Sequence, residues 1–147
     1  MDIRLSSFKR DHGLNELFSK DLNEYWATDD ALPHGIQFNF HKLIYIEEVR
    51  IYLSFTQDDS YTPQEIEVRC GLTGSTIESI TSITLMEPEG YLSFNVRKKC
   101  FILQVLVLSN HQEGKDSHIR NLKIMESKNK EMYIKLEERC KKLTTHF

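Results

Sequence analysis

The stretch FILQVLVLSNHQEGKDSHIRNLKIM, Phe101 to Met125, decides how the rest of the chain is read. Its first eight residues are apolar except Gln104 and rich in Val, Ile and Leu. Such a run falls well short of the roughly 20 apolar residues of a membrane span and predicts a central β-strand. Leu122 and Ile124 alternate with polar neighbours and predict a second strand. Between the two lie Asn110, His111, Gln112, Glu113, Lys115, Asp116, His118 and Arg120, with Gly114 where the backbone must turn. No other stretch carries so dense a cluster of hydrogen-bonding side chains. A loop held on a rigid sheet is where binding residues concentrate.

Period-two patterning extends N-terminally from this stretch. Leu92, Phe94 and Val96 make one strand face, and Arg97-Lys98-Lys99 reads as a basic turn before the central strand. Ile36, Phe38 and Phe40 alternate, and after His41-Lys42 the alternation resumes through Val49, Ile51, Leu53 and Phe55. Ile66, Val68 and Cys70 form another such face, GLTGS a hairpin-like loop, and Ile77, Ile80, Ile83 and Leu85 a weaker series. Seven or eight short strands at spacings of about ten residues predict a β-sandwich or jelly roll, and the absence of βαβ alternation argues against a doubly wound fold. Leu14, Leu17 and Phe18 predict a short N-terminal helix begun near Asp11. From Ser127, the stripe Met132, Leu136, Cys140 and Leu143 predicts a C-terminal amphipathic helix, packed on its own sandwich or docked on a partner. The expected organisation is one domain over residues 1–126 with a helical tail over 127–147.

Composition narrows the function. The 19 basic and 22 acidic residues are spread along 147 residues, so no electrostatic footprint for nucleic acid emerges. Three cysteines, Cys70, Cys100 and Cys140, are odd in number and lack CxxC spacing, which predicts reduced thiols in the cytosol or nucleus rather than a disulfide framework. The N-terminal MDIRLSSFKRDH carries no apolar signal core, so neither secretion nor membrane anchoring is expected. His111, Asp116 and His118 are metal-ligand types, but their spacing matches no closed zinc motif. No G-x-S-x-G turn marks a nucleophile, and GLTGS lacks the lysine and the following helix of a phosphate loop. Asp29-Asp30 and Asp58-Asp59 are pairs of the type that binds a cation or works in acid–base chemistry, and they read first as solvated or capping groups in turns. Trp26 reads as a core anchor, and Tyr61 as either a packed ring or a ligand contact.

Four segments carry a resemblance: NEYWATDDALPH, SYTPQEIEVRCG, LMEPEGYLSFNV and LVLSNHQEGKDSHIRNLKI. In wording and order, from Asn23 to Met125, they resemble the DOC domain, specifically the small DOC subunits (subunit ten) of the anaphase-promoting complex. The resemblance implies an all-β jelly-roll β-sandwich similar to galactose-binding and discoidin-type domains, with a ligand site in loops at one end. It implies a non-catalytic subunit of a ubiquitin ligase, needing no cofactor. Such a subunit acts with a WD40 co-activator as a co-receptor for destruction-box substrates and raises processivity, beside other subunits of the complex, in the nucleus and cytoplasm. Carried over position by position, the degron-binding residues are Asn110, His111, Gln112, Gly114, Lys115, Asp116 and His118. Ser60, Tyr61 and Thr62, with Trp26 and Asp29, match other characteristic segments and read first as architecture. The family's tail commonly ends Ile-Arg, whereas this sequence ends Thr-Thr-His-Phe, leaving three expectations open: docking through the sandwich surface, docking through the tail helix, or loss of the tail interaction. Two other readings stand beside this one. A carbohydrate-binding module would use aromatic platforms and would be expected to carry a secreted location and disulfides, and residues 109–120 contain no aromatic ring other than histidine. A metal-dependent hydrolase would be built on His111, Asp116 and His118.

Overall fold

The structure is a computed structural model describing residues 1–73 and 75–136 and the backbone of 141–142. In chain order it comprises β1 (Asp2–Leu5), the one-turn helix α1 (Leu14–Leu17), β2 (Trp26–Ala27), β3 (His34–Ser54), α2 (Phe55–Asp58), β4 (Pro63–Gly71), β5 (Ile77–Thr84), β6 (Glu89–Asn110), β7 (His118–Ile119), β8 (Asn121–Ser127), β9 (Lys130–Glu131) and β10 (Lys141–Lys142). Short 3-10 turns occupy Asp59–Tyr61 and His111–Glu113.

Two long strands, β3 and β6, organise both layers. They pair antiparallel along nearly their whole length, from His34 opposite Val107 to Ser54 opposite Glu89, with register shifts between Asn39 and Ile44 and between Ile46 and Glu48. At those shifts His41 (φ 59°) and Arg97 (φ 52°) take left-handed backbone conformations, which bend the ribbon without ending it. On one side of the bend the pair is flanked by β1 and by β4, itself paired to β5. On the other side β8 joins β3, and β9 joins β8. The ribbon thus feeds two sheets whose inner faces share one core.

That core follows the alternation read from the sequence. Ile36, Phe38, Val49, Ile51, Leu53, Ile66, Val68, Phe94, Leu103, Val105, Ile119, Leu122 and Ile124 are almost fully buried in one cluster. Burying each such side chain contributes about 1.5–3 kcal/mol, and the total is set against chain entropy. The run Ile102–Val107 is buried on both faces, as expected of a strand with neighbours on either side. Trp26 is buried and donates Nε1–H to the Ser7 carbonyl at 2.9 Å, the core anchor read from sequence. Helix α1 lies where Leu14 and Leu17 placed it, with both buried.

Three expectations are corrected. Arg97-Lys98-Lys99 is a bulge inside the continuous β6 rather than a turn between strands, because the bend is shared with β3 and hydrogen bonding resumes past it. The segment after Ser127 begins as strand β9, not helix. Met132 donates its N–H to the Ile124 carbonyl at 2.8 Å and is buried, and Ile134 and Leu136 pack on the core. Met132 and Leu136 of the apolar stripe therefore pack on the sandwich from non-helical chain, and β10 adds in parallel to β1. Cys140 and Leu143 of that stripe lie outside the described side chains. Finally, Cys70 and Cys100 form a disulfide, with Cα atoms 5.7 Å apart. Thirty residues separate them in sequence, and only the adjacency of β4 and β6 brings them together.

Candidate functional site

The polar loop between β6 and β8 sits where β4 begins and β3 begins: Pro63 is opposite Asn110, and His34 opposite Val107. Its shape is fixed from within. Asn110 Nδ2 donates to the Gly114 carbonyl at 3.0 Å, and Ser117 Oγ donates to Asn110 Oδ1. Gln112 and Glu113 both adopt left-handed conformations, φ 55° and 58°. Two adjacent non-glycine residues in that region persist only where the surroundings dictate them. Gly114 is required by close approach: a Cβ there would stand 1.8 Å from the Ser60 carbonyl oxygen.

His111 is a structural histidine. It is buried, its Nδ1 donates to the Thr62 carbonyl at 3.0 Å, and its Nε2 accepts the Glu87 N–H at 3.1 Å. Both ring nitrogens are thereby occupied and the tautomer is set. His34, also buried, donates Nε2–H to the Lys115 carbonyl. Burial holds its imidazole below the ordinary value of 6.5, partly opposed by that bond and by the charge of Asp116.

The outward side of the loop meets residues from far upstream. Strands β2 and β7 pair, with Ala27 opposite His118, so the NEYWATDD segment lies against the loop. The His118 ring is sandwiched between Tyr25 and Tyr61, each with centroids 4.3 Å away, and His12 stacks on the far face of this row, 4.4 Å from Tyr25. Four rings from four segments form one ladder, with Tyr61, 40% exposed, at its open end. Lys9 Nζ lies 5.8 Å from the Tyr61 centroid and 3.9 Å from Asp116 Oδ2, and Asp116 also accepts the Thr28 hydroxyl at 3.2 Å.

Beneath the ladder is an ionic support. Asp58 accepts two bonds from Arg120, at 3.0 and 2.8 Å, and one from His118 Nδ1 at 3.1 Å. Arg120 also donates to the Leu22 carbonyl at 2.8 Å, and its guanidinium sits 5.1 Å from the Tyr25 centroid. Burial alone would raise the Asp58 carboxyl, but the bonds from His118 and Arg120 outweigh it and hold the group below its ordinary 3.8. A planar guanidinium bidentate on a carboxylate fixes the orientation of both, and through His118 that of the ladder.

Of the seven positions named from the sequence, the structure brings Gln112 and Lys115 to the surface of one end of the sandwich and leaves Asp116 and His118 partly exposed there, the His118 ring with both faces covered. Asn110 and His111 are turned inward as loop supports, and Gly114 seats the loop on Ser60. Sequence reasoning did not select Tyr25, Asp58 or Arg120 for the site. Asp58 read as a solvated turn residue because its partners are 60 and 62 residues away. Tyr61, left open between packed ring and ligand contact, is a partly exposed rung of the ladder. Among the described residues, no group of three His, Cys, Asp or Glu side chains stands close enough to hold a metal ion.

Several solved structures share this fold. The family 32 carbohydrate-binding module of Clostridium perfringens NanJ, in complex with galactose, superposes with a TM-score of 0.68 at 13% identity, over 84% of this chain and 91% of that one. A C. perfringens GH89 module of the same family, with GalNAc-β-1,3-galactose, gives 0.69 at 14% identity, over 84% and 93%. At such identities the likeness establishes the jelly roll alone. Sequence relatives are nearer. Anaphase-promoting complex subunit 10 of Homo sapiens is 36% identical over 126 residues, 82% of this chain and 68% of the relative. The Drosophila melanogaster subunit 10 is 34% identical over 126 residues, covering 82% and 65%, and the Dictyostelium discoideum subunit 37% over 125. This chain thus spans about two thirds of the length of those relatives. With the family model for anaphase-promoting complex subunit 10 matching residues 2–146, the chain belongs to the anaphase-promoting complex subunit 10 family.

Proposed function

We propose that this chain is a non-catalytic subunit of the anaphase-promoting complex, working in the nucleus and cytoplasm. It holds destruction-box segments of substrates jointly with a WD40 co-activator and so raises the processivity of ubiquitin chain addition. The observation that carries the reading is the pre-set surface at the loop end: the Tyr25–His118–Tyr61 ladder, the Lys9–Asp116 pair and the exposed Gln112 and Lys115 on one rigid support. Such a surface offers a peptide stacking area, a cation, an anion and an amide within one contact zone, all fixed before binding. A shared site gains strength from both halves, so weak binding by this subunit alone is compatible with a strong effect in the assembly.

A ubiquitination time course tests this. The ligase is depleted of its subunit 10 and supplemented with this protein, either intact or carrying Tyr61→Ala, Asp116→Ala and His118→Ala. The intact chain is expected to join and lengthen the ubiquitin chains added per encounter. The variant is expected to join without that effect. Equal processivity from both would remove the loop end from substrate recognition.

One observation favours a second reading, carbohydrate binding. The loop contains no Tyr, Trp or Phe of its own, but the fold brings Tyr25 and Tyr61 to it, and Tyr61 is partly exposed. Titration with galactose decides between them: saturable binding abolished by Tyr61→Ala supports the sugar reading, and none leaves the degron reading alone.

A further inference from the structure

We propose that the end of the sandwich opposite the polar loop docks an extended, acidic segment of a neighbouring subunit, which adds a strand to the free edge of β5. This rests on the reading of the chain as part of a multisubunit assembly. Strand β4 runs from the loop end, where Pro63 faces Asn110, to the far end, where Gly71 faces Ile102. There the β4–β5 hairpin meets the bend of β6 across a cleft of about 420 Å³. Its apolar lining comes from Cys70, Leu72 and Ile80, and its charged lining from Lys98 and Lys99 against the single carboxylate of Glu78. Because the Cys70–Cys100 disulfide ties β4 to the β6 bend, the two walls are covalently fixed.

Three features converge on one occupant. Among the described residues β5 pairs only with β4, so the backbone groups on its outer side have no strand partner. IESITSIT carries no lysine or proline and is rich in Ile, Ser and Thr, so the guards on this edge are the Glu78 charge and the bulge at Ile80, where the register with β4 shifts. That edge suits an added strand, whose backbone gives affinity and whose alternate side chains reach the adjoining cleft. Leu72 is 61% exposed at the rim, a large apolar side chain open to a partner. Lys98 and Lys99 are exposed and join none of the ion pairs among the described residues, so the local field favours an acidic peptide. Tyr45, paired in register with Lys99, is exposed beside them.

The test uses the complex reconstituted without its own subunit 10. Lys98→Glu with Lys99→Glu, and the same pair with Leu72→Ser, change only exposed side chains; thermal melting confirms that each is folded. Both are expected to be retained by the complex about tenfold less than the intact chain. Hydrogen exchange at the β5 amides of the intact chain is expected to slow on assembly. Retention equal to that of the intact chain, or unchanged β5 exchange, overturns the proposal. So does a homodimer sensitive to the same substitutions with assembly unaffected, which would mean that the edge pairs with a second copy. If the intact chain itself fails to join, the subunit reading falls and this inference with it. A failure of substrate processivity with normal assembly touches only the loop end.

Discussion

Asp58 is buried with its charge, and the two side chains that reach it make that arrangement stable. Arg120→Ala leaves the carboxylate without its bidentate partner, and loss of one member of a buried pair costs about 3–5 kcal/mol. Urea denaturation is expected to show a shift of that size, with a matching loss of near-ultraviolet signal from Tyr25 and Tyr61. Acidification reads the same group. Its folded carboxyl titrates below 3.8, so as pH falls the unfolded chain takes up this proton first. The stabilisation is complete above the unfolded value and is lost as pH falls through the folded one. Asp58→Asn is therefore expected to give a shallower stability loss across the acid range. His34 acts at higher pH. Its folded imidazole titrates below 6.5, so stability is complete above that value and declines as pH drops beneath it. His34→Gln, which keeps a donor toward the Lys115 carbonyl, is expected to flatten that decline in a pH series of melting curves. None of these roles was legible in the sequence, because each depends on a partner 60 or more residues away.

The loop from Asn110 to His118 behaves as an element in its own right. Its backbone rests on Ser60, and Gly114→Ala would drive a Cβ into the Ser60 carbonyl. That substitution is expected to displace the Ser60–Tyr61 turn, break the stacking of Tyr61 on His118 and reduce substrate retention as much as Tyr61→Ala, read in the same ubiquitination assay. The β4–β6 pair carries the disulfide, which closes a 30-residue separation. The chain-entropy treatment assigns such a loop about 3–4 kcal/mol. Denaturant midpoints of oxidised and fully reduced protein are expected to differ accordingly, and Cys100→Ser is expected to match the reduced form. In the buried C-terminal half of β6, Val105→Asp would bury an unpaired charge in the core and is expected to abolish the cooperative unfolding transition. Strand identity here was plain in the sequence: alternation at Ile36–Phe40, Val49–Leu53 and Leu92–Val96 maps onto buried faces. Strand ends were not, because positive-φ bulges at His41 and Arg97 resemble turns in one dimension and are crossed by continuous pairing in three.

Taken whole, the molecule has one core between the two ends proposed to work, and that proposal predicts that the two are separable by mutation. Loop-end substitutions are expected to lower processivity with assembly intact, and far-end substitutions to lower assembly, measured side by side on one preparation. The sequence by itself determined the fold class and the family, because hydrophobic period and segment wording are local properties that survive without coordinates. It also located the polar loop, since a run of hydrogen-bonding residues between two apolar strands has one place to go. Only the tertiary structure decided which loop residues face outward, that Cys70 and Cys100 meet, that Lys130–Glu131 pair with β8 as strand, and that Tyr25, Tyr61, Asp58 and Arg120 join the candidate site. The physical reason is the same in each case: these are contacts between segments brought together by the bend of β3 against β6, and no periodicity along the chain encodes them.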